Sequence, residues 1–345
     1  MNSIAAWPQR SAPLFRFALA VFLLAQALVA QCLPAFSADK VVLAANWLAE
    51  AEHGGFYQAL AEGTYARYGL DVTILPGGPQ KNNRLLLAAG KVDFYMGDNI
   101  IGQFSALAEH IPIVTVAALF QKDPLVLMSH PGAGFDRFED LPKAKAFVGL
   151  ATLTTLWPWM EKKWGFRREN AAPYSFNSAP FIADSRAIQQ GYVTSEPFDI
   201  ARNGGFTPNV FLLADHGFET YSTTIETRRD LLDKNPDLVR RFVEASILGW
   251  AHYLHGDNSK ANAAIKAGNP DIDDAQIAFS IAQMKKFGIV ESGDALTHGI
   301  GAMDMARIAR HYAEMAEAGA AAKGLDLAGG FDLRFVNHGL GLDGK

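Results

Sequence analysis

Short apolar runs alternate with stretches of helical periodicity through the first two thirds of the chain. Residues 40–45 predict a buried strand, 54–68 a helix stopped by Gly69, and 70–75 a second strand closed by the turn Pro76-Gly77-Gly78-Pro79. Residues 82–89 predict a helix ending at Gly90, 92–96 a third strand, 98–109 a helix, and 113–120 a β-branched strand. A similar run follows Gln121, with strands at 125–129, 146–150, 171–176, 191–194 and 210–213 and a helix beginning near Thr154. After Tyr221 the pattern turns helical, at 236–254, 260–267, 274–287 and 303–318, and residues 331–336 predict a last strand. Strands alternating with helices at this spacing imply βαβ units. The expected fold class is α/β, with two lobes that are each a mainly parallel sheet flanked by helices. The chain is expected to cross to the second lobe near Gln121 and to return near 222–224. That assigns 38–121 and 222–345 to lobe 1 and 122–221 to lobe 2.

The N-terminus reads differently. Arg10 and Arg16 precede the uncharged run FALAVFLLAQALVA, and small residues follow at Ala35, Ser37 and Ala38. Basic front, apolar middle and small-residue cleavage site describe an export signal over 1–37. The apolar run is shorter than the roughly 20 residues that span a bilayer, which argues against a membrane anchor. Cys32 raises the option of a lipidated cysteine, but Gln31 is a poor residue before such a site. Cleavage after Ser37 leaves no cysteine, so disulfides, thiolate metal sites and cysteine nucleophiles are excluded from the mature chain. It also leaves 29 basic against 36 acidic residues, a net charge of −7. Without a basic stripe, nucleic acid is not an expected partner. A periplasmic location and a monomer are expected.

In open parallel sheets ligands bind beyond the carboxyl ends of the strands. The stretch NWLAEAEHGGFY at 46–57 lies at such an end, as do Pro76–Pro79, Gly97-Asp98-Asn99 and the predicted helix start at Thr154. Four such loops imply a cleft. Trp47 suits stacking on a planar ligand, or packing on its own lobe. Glu52 and His53 suit hydrogen bonds to a heterocycle, or capping of the next helix. Of Phe56 and Tyr57, one is expected to face the cleft and the other the core. Tyr95, Asp98 and Asn99 end a strand, Asn99 offering an amide to a ring edge. From the second lobe, Thr154 marks an anion-friendly helix start, and Trp157 adds aromatic surface. Tyr192, Ser195 and Glu196 surround the end of a later strand, and Asn177 and Tyr221 complete the candidate set. No catalytic or metal-binding residue is expected: there is no G-x-S-x-G elbow and no H-E-x-x-H helix.

Five motifs in order resemble a known family: W-x-x-x-A-E-H-x-G-F-Y at 47–57, E-G-x-Y-x-x-Y-G-L-D-V at 62–72, G-K-V-D-F at 90–94, GYVTSEP at 191–197 and NPDLVRRFVEASILGW at 235–250. The chain resembles periplasmic solute-binding proteins of ABC importers, in the branch related to sulfonate, nitrate and thiamine-pyrimidine binding. The resemblance covers essentially the whole mature chain. It implies a type II periplasmic-binding-protein fold, two hinged lobes closing over one solute, delivery to an ABC permease, and neither cofactor nor covalent chemistry. The first loop offers carboxylates and no Lys or Arg, so a planar heterocycle such as a thiamine-precursor pyrimidine or a flavin-like ring is the expected ligand, with a sulfonate, taurine or nitrate as the alternative. A thiamine-pyrimidine-synthase-like enzyme is a rival of another class, disfavoured because that resemblance calls for a cysteine-rich motif. A sensory protein that hands its ligand to a membrane receptor would use the same cleft.

Overall fold

The computed structural model describes residues 38–79 and 81–342. The export signal, its Arg10 and Arg16 and Cys32 lie outside the described residues.

Two five-stranded sheets carry the fold. The first is built from β1 (Asp39–Ala44), β2 (Leu70–Leu75), β3 (Phe94–Asn99), β4 (Ile113–Phe120) and, from much later in the chain, β10 (Ser222–Arg228), in the order β2-β1-β3-β10-β4. The second contains β5 (Leu125–Ser129), β6 (Lys145–Val148), β7 (Ala171–Pro173), β8 (Ala187–Tyr192) and β9 (Asn209–Leu212), in the order β7-β6-β8-β5-β9. In both, one strand donated by a crossover runs antiparallel to its two neighbours: β10 against β3 and β4, and β5 against β8 and β9. The other pairings, β1 with β2 and β3 and β6 with β7 and β8, are parallel. The two lobes therefore share one topology, and each is mainly parallel. β4 is buried along its whole length and β5 likewise, which is why both read as continuous apolar runs.

Several elements depart from the sequence expectation. The helix expected over 54–68 is broken in two, because Gly63 takes a left-handed conformation at φ 79° between α1 (Gly54–Ala61) and the short helix Thr64–Arg67. The helix expected from Thr154 starts earlier, at Leu150. The strand expected at 191–194 lies upstream as β8, since Val193–Ser195 already form the turn into α2 (Glu196–Gly204). β10 has no counterpart in the expected helical region after Tyr221. Its sequence STTIETR lacks an apolar run because Glu226 is buried in an ion pair with Arg84 at 2.9 Å. Residues 331–336 form a bridge from Phe331 to Thr115 and a short 3-10 turn instead of a strand.

Paired glycines in the first loop serve packing. α3 (Pro236–His255) crosses α1 so closely that a Cβ on Gly55 would sit 2.2 Å from the Trp250 ring and one on Gly54 2.0 Å from Tyr253. A Cβ on Gly249 would meet the Gly55 carbonyl at 2.2 Å. α3 also stacks Phe242 on Phe94 of the sheet at 3.9 Å between ring centroids. These contacts join the 47–57 and 235–250 motifs into one physical unit.

The two crossovers, at 121–124 and 213–221, run side by side, and a single side chain brackets them. Arg307, on the last long helix (Met305–Glu317), donates to the carbonyls of Gln121 at 2.5 Å, Glu219 at 3.1 Å and Thr220 at 3.4 Å. Its guanidinium lies 4.0 Å from the Tyr221 ring centroid and pairs with Asp294 at 3.2 Å.

Gly249→Ala is expected to destabilise the fold by ~1–3 kcal/mol, because the methyl collides with backbone that cannot swing away. Thermal unfolding followed by circular dichroism reads the effect; an unchanged midpoint contradicts this account of the α1–α3 crossing.

Candidate functional site

The carboxyl ends of β1, β3, β7 and β8 point at one cleft between the sheets. β1 delivers Asn46, Trp47, Glu50, Glu52 and His53, β3 delivers Asp98 and Asn99, and the first crossover delivers Asp123. From the second sheet, β7 leads to Tyr174 and Phe176, and β8 to Tyr192, Thr194 and Glu196.

Trp47 and Phe176 meet across the lobes with ring centroids 4.7 Å apart, tilted at 51°. Phe176 is 55% exposed and holds φ at 62°, a left-handed conformation that a bulky side chain rarely adopts. A strained, solvent-facing phenyl on a short turn is an arrangement that core packing alone does not produce. Tyr174 packs behind it at 5.4 Å.

Beneath these rings the site is acidic. The Asn46 amide N–H donates to Asp98, and its amide oxygen accepts from His53 Nε2 at 3.2 Å. Burial depresses the His53 imidazole to about 3, so it is neutral and its 4.0 Å approach to Glu50 is no ion pair. Glu196, at the start of α2, accepts from the Tyr174 hydroxyl at 3.0 Å and from the Tyr192 N–H at 2.7 Å. Burial still raises its carboxyl to about 7, with Glu52 adding repulsion. Asp123 accepts from Asn99 at 3.2 Å and from the Leu125 N–H at 2.9 Å, and burial lifts it to about 6. Burial, then Glu52, Glu196 and Asp98, push Glu50 well above the ordinary carboxylate range. Burial also raises Glu52 and Asp98. Tyr192 stands among them: burial, then Asp123, Asp98, Glu50 and Glu196, drive its hydroxyl far up.

Other candidate residues fall elsewhere. Phe56 packs edge-on against Trp250 in the core, and Tyr57 is buried beside Gly268, so neither side chain of this pair opens into the cleft. The Thr154 hydroxyl donates back to the carbonyl of Leu150 in its own helix. Trp157 is fully buried against Phe166 and bonds Glu161. The Asn177 side chain accepts from the Ala179 N–H and so shapes the turn beside Phe176. Ser195 serves as the residue before α2. Tyr221 belongs to the hinge, donating to Asp294 and accepting from the Asp304 N–H at 2.9 Å.

A family described as NMT1/THI5 like matches residues 50–258. The chain belongs to that family. The riboflavin-binding protein RibY of Chloroflexus aurantiacus is 26% identical over 232 residues, covering 63% of this chain and 63% of that protein's length. The 4-amino-5-hydroxymethyl-2-methylpyrimidine phosphate synthase THI11 of Saccharomyces cerevisiae is 26% identical over 243 residues, covering 65% of this chain and 70% of that enzyme. The periplasmic aliphatic sulphonate binding protein SsuA of Escherichia coli superposes with a TM-score of 0.63 over 88% of this chain and 99% of SsuA, at 13% identity. That likeness establishes the two-lobed periplasmic-binding-protein fold. Among the described residues, no helix is long and apolar enough to cross a membrane.

In this NMT1/THI5-like chain, sequence reasoning passed over Asn46, Glu50, Asp123, Tyr174 and Phe176. Asn46 and Glu50 flank Trp47 in the loop already singled out, so their signal was position. Asp123 follows the predicted end of a lobe and looks like an ordinary linker residue. Phe176 was absorbed into a strand that in fact ends at Pro173.

With its carboxyl raised from an ordinary 4.5, the folded chain holds a proton on Glu196 that the unfolded chain has released. Stability attributable to this group is therefore present at acidic pH and lost as pH rises from about 4.5 through 7. Glu196→Gln should unfold at a higher temperature than the parent at pH 8, with the difference gone by about pH 5. Equal midpoints at pH 8 would remove the basis for a raised carboxyl.

Proposed function

We propose that this protein is an extracytoplasmic solute-binding protein that captures one small planar heterocycle between its lobes and delivers it to an ABC permease. In this reading residues 1–37 are a cleaved export signal, 38–121 with 222–345 form one lobe and 122–221 the other, and the mature protein acts in the periplasm as a monomer. The observation that carries the ligand class is the Trp47–Phe176 ring pair, one ring from each lobe, 4.7 Å apart at the cleft. Rings contributed by opposing lobes can grip a flat molecule on closure and release it on opening, and the gain in stacking contacts is what favours the closed state. Asn46, Glu52, His53, Asp98, Asn99, Tyr192 and Glu196 then offer polar atoms to the ring edge, whereas Tyr95 is buried with Ala44, Leu87, Val92 and Ile113 in an apolar cluster. The absence of Lys or Arg from the loop at 46–57 speaks against sulfonate, taurine or nitrate. RibY's name points to a riboflavin ligand and THI11's to pyrimidine chemistry, and both are consistent with a planar ring.

The likeness to THI11 raises an enzyme as the second reading. Cys32 is the chain's sole cysteine and lies within the proposed signal, so the cysteine-rich motif that the synthase-like resemblance calls for is missing.

Thermal unfolding in the presence of pyrimidines, flavins, sulfonates and nitrate is expected to show stabilisation by a ring compound, because a ligand that binds only the folded state raises its stability. Trp47→Ala and Phe176→Ala should each raise the Kd by about tenfold, losing a stacked pair worth ~0.5–1.5 kcal/mol beyond its buried area. The ligand should be recovered with unchanged mass. Stabilisation by sulfonates or nitrate alone, or chemical conversion of the bound compound, contradicts the proposal.

A further inference from the structure

The cleft gathers five carboxylates, Glu50, Glu52, Asp98, Asp123 and Glu196, from four separate parts of the chain. Among the described residues none of them has a Lys or Arg nitrogen within 4 Å; only the neutral His53 approaches Glu50. The contrast lies one strand away, where the buried Glu226 has its own Arg84 at 2.9 Å. The fold thus pairs a buried carboxylate where it is structural, while among the cleft carboxylates Asp98 alone is eased by Arg84, at longer range, and the others have no cation acting on them.

Two further observations point to a ligand as the missing partner. Glu52 is 4% and Thr194 0% exposed; the Thr194 hydroxyl approaches the Glu52 carboxyl closely enough to hold its pKa down, yet Glu52 Oε1 and Thr194 Oγ1 have no partner at good hydrogen-bond geometry. A buried, unpaired carboxylate oxygen is costly, and a fold keeps one where something else meets it. Second, Trp47 and Phe176 bring two aromatic rings together at the same strand ends, and aromatic faces attract cations. A bare divalent ion does not fit: the described residues contain no grouping of three His, Cys, Asp or Glu side chains able to hold a metal.

We propose that the cleft selects a positively charged planar ring over its neutral and anionic analogues, with Glu50 and Glu196 as the specificity-determining carboxylates, one from each lobe. This rests on the planar-ring reading above and adds the charge. Aromatic faces hold the ring, the flanking carboxylates hold the charge, and closure brings Glu50 and Glu196 to bear together. A neutral ring leaves the carboxylates repelling one another, and an anion adds to the repulsion.

Isothermal titration calorimetry of the mature chain at pH 8 tests it with matched probes that differ by one ring methyl and its charge: 1-methylnicotinamide against nicotinamide, and 10-methylacridinium against acridine, with benzenesulfonate as the anion. The cation of at least one pair should bind roughly tenfold or more tightly than its neutral twin. Glu50→Gln and Glu196→Gln should each erase most of that preference, the readout being the ratio of cation to neutral-ring affinity within each variant. Neutral rings that bind as well as the cations overturn the charge inference and leave the planar-ring reading standing. Benzenesulfonate binding alone, or no binding by any ring, overturns both. A preference for the cation that survives both substitutions overturns the assignment of Glu50 and Glu196.

Discussion

Uncompensated negative charge at the strand ends is the constraint around which this structure is organised. Burying a carboxylate without a counter-charge is costly unless the group is hydrogen-bonded or kept neutral. Here Asp98 is held by Asn46, Asp123 by Asn99 and the Leu125 N–H, and Glu196 by Tyr174 and the Tyr192 N–H. Those partners fix the carboxyls in place, and burial still favours their protonated forms over the charged ones. The polar architecture of the cleft is therefore fixed in position by hydrogen bonds, around carboxyls whose ionisation burial disfavours.

The topology explains how so many polar groups reach one place. Each sheet sends its parallel strands toward the cleft, and each accepts one antiparallel strand from a crossover, β10 in the first and β5 in the second. The antiparallel insertions put both crossovers along one side, where Arg307 spans them through the carbonyls of Gln121, Glu219 and Thr220. Thr223, just inside β10, holds φ at 45°, so one connection carries local backbone strain beside this bracket. A guanidinium tied to both connections holds the two crossovers side by side.

The motif at 47–57 shows how a dense stretch of sequence can carry two jobs. Gly54 and Gly55 let α3 approach α1, with Trp250 and Tyr253 filling the space a Cβ would take, and Phe56 and Tyr57 extend that packing into the core. Trp47, Glu50, Glu52 and His53 lie just before them and line the cleft or its floor. The helix crossing anchors the loop, and the anchored loop presents the polar groups. The 235–250 motif is its packing partner, which is why the two occur together.

Alternating apolar runs and helix-stop glycines sufficed to read the α/β class and the plan of two mainly parallel sheets, because local periodicity and backbone preference encode those features directly. Trp47, Glu52, Asp98, Tyr192 and Glu196 stand out as candidates for the same reason: they sit at strand ends, and strand ends are a one-dimensional property. Which way a side chain turns is not. Phe56 and Phe176 are chemically identical, yet packing against Trp250 buries one, while a left-handed backbone turn swings the other out to meet Trp47. β10 was hidden because the group that makes its charge acceptable, Arg84, lies 142 residues away in sequence. The same holds for the charge of the cleft: a list of acidic residues is visible in the chain, but whether a Lys or Arg neutralises each one depends on contacts between distant segments, and those arise only when the two lobes assemble around their shared gap.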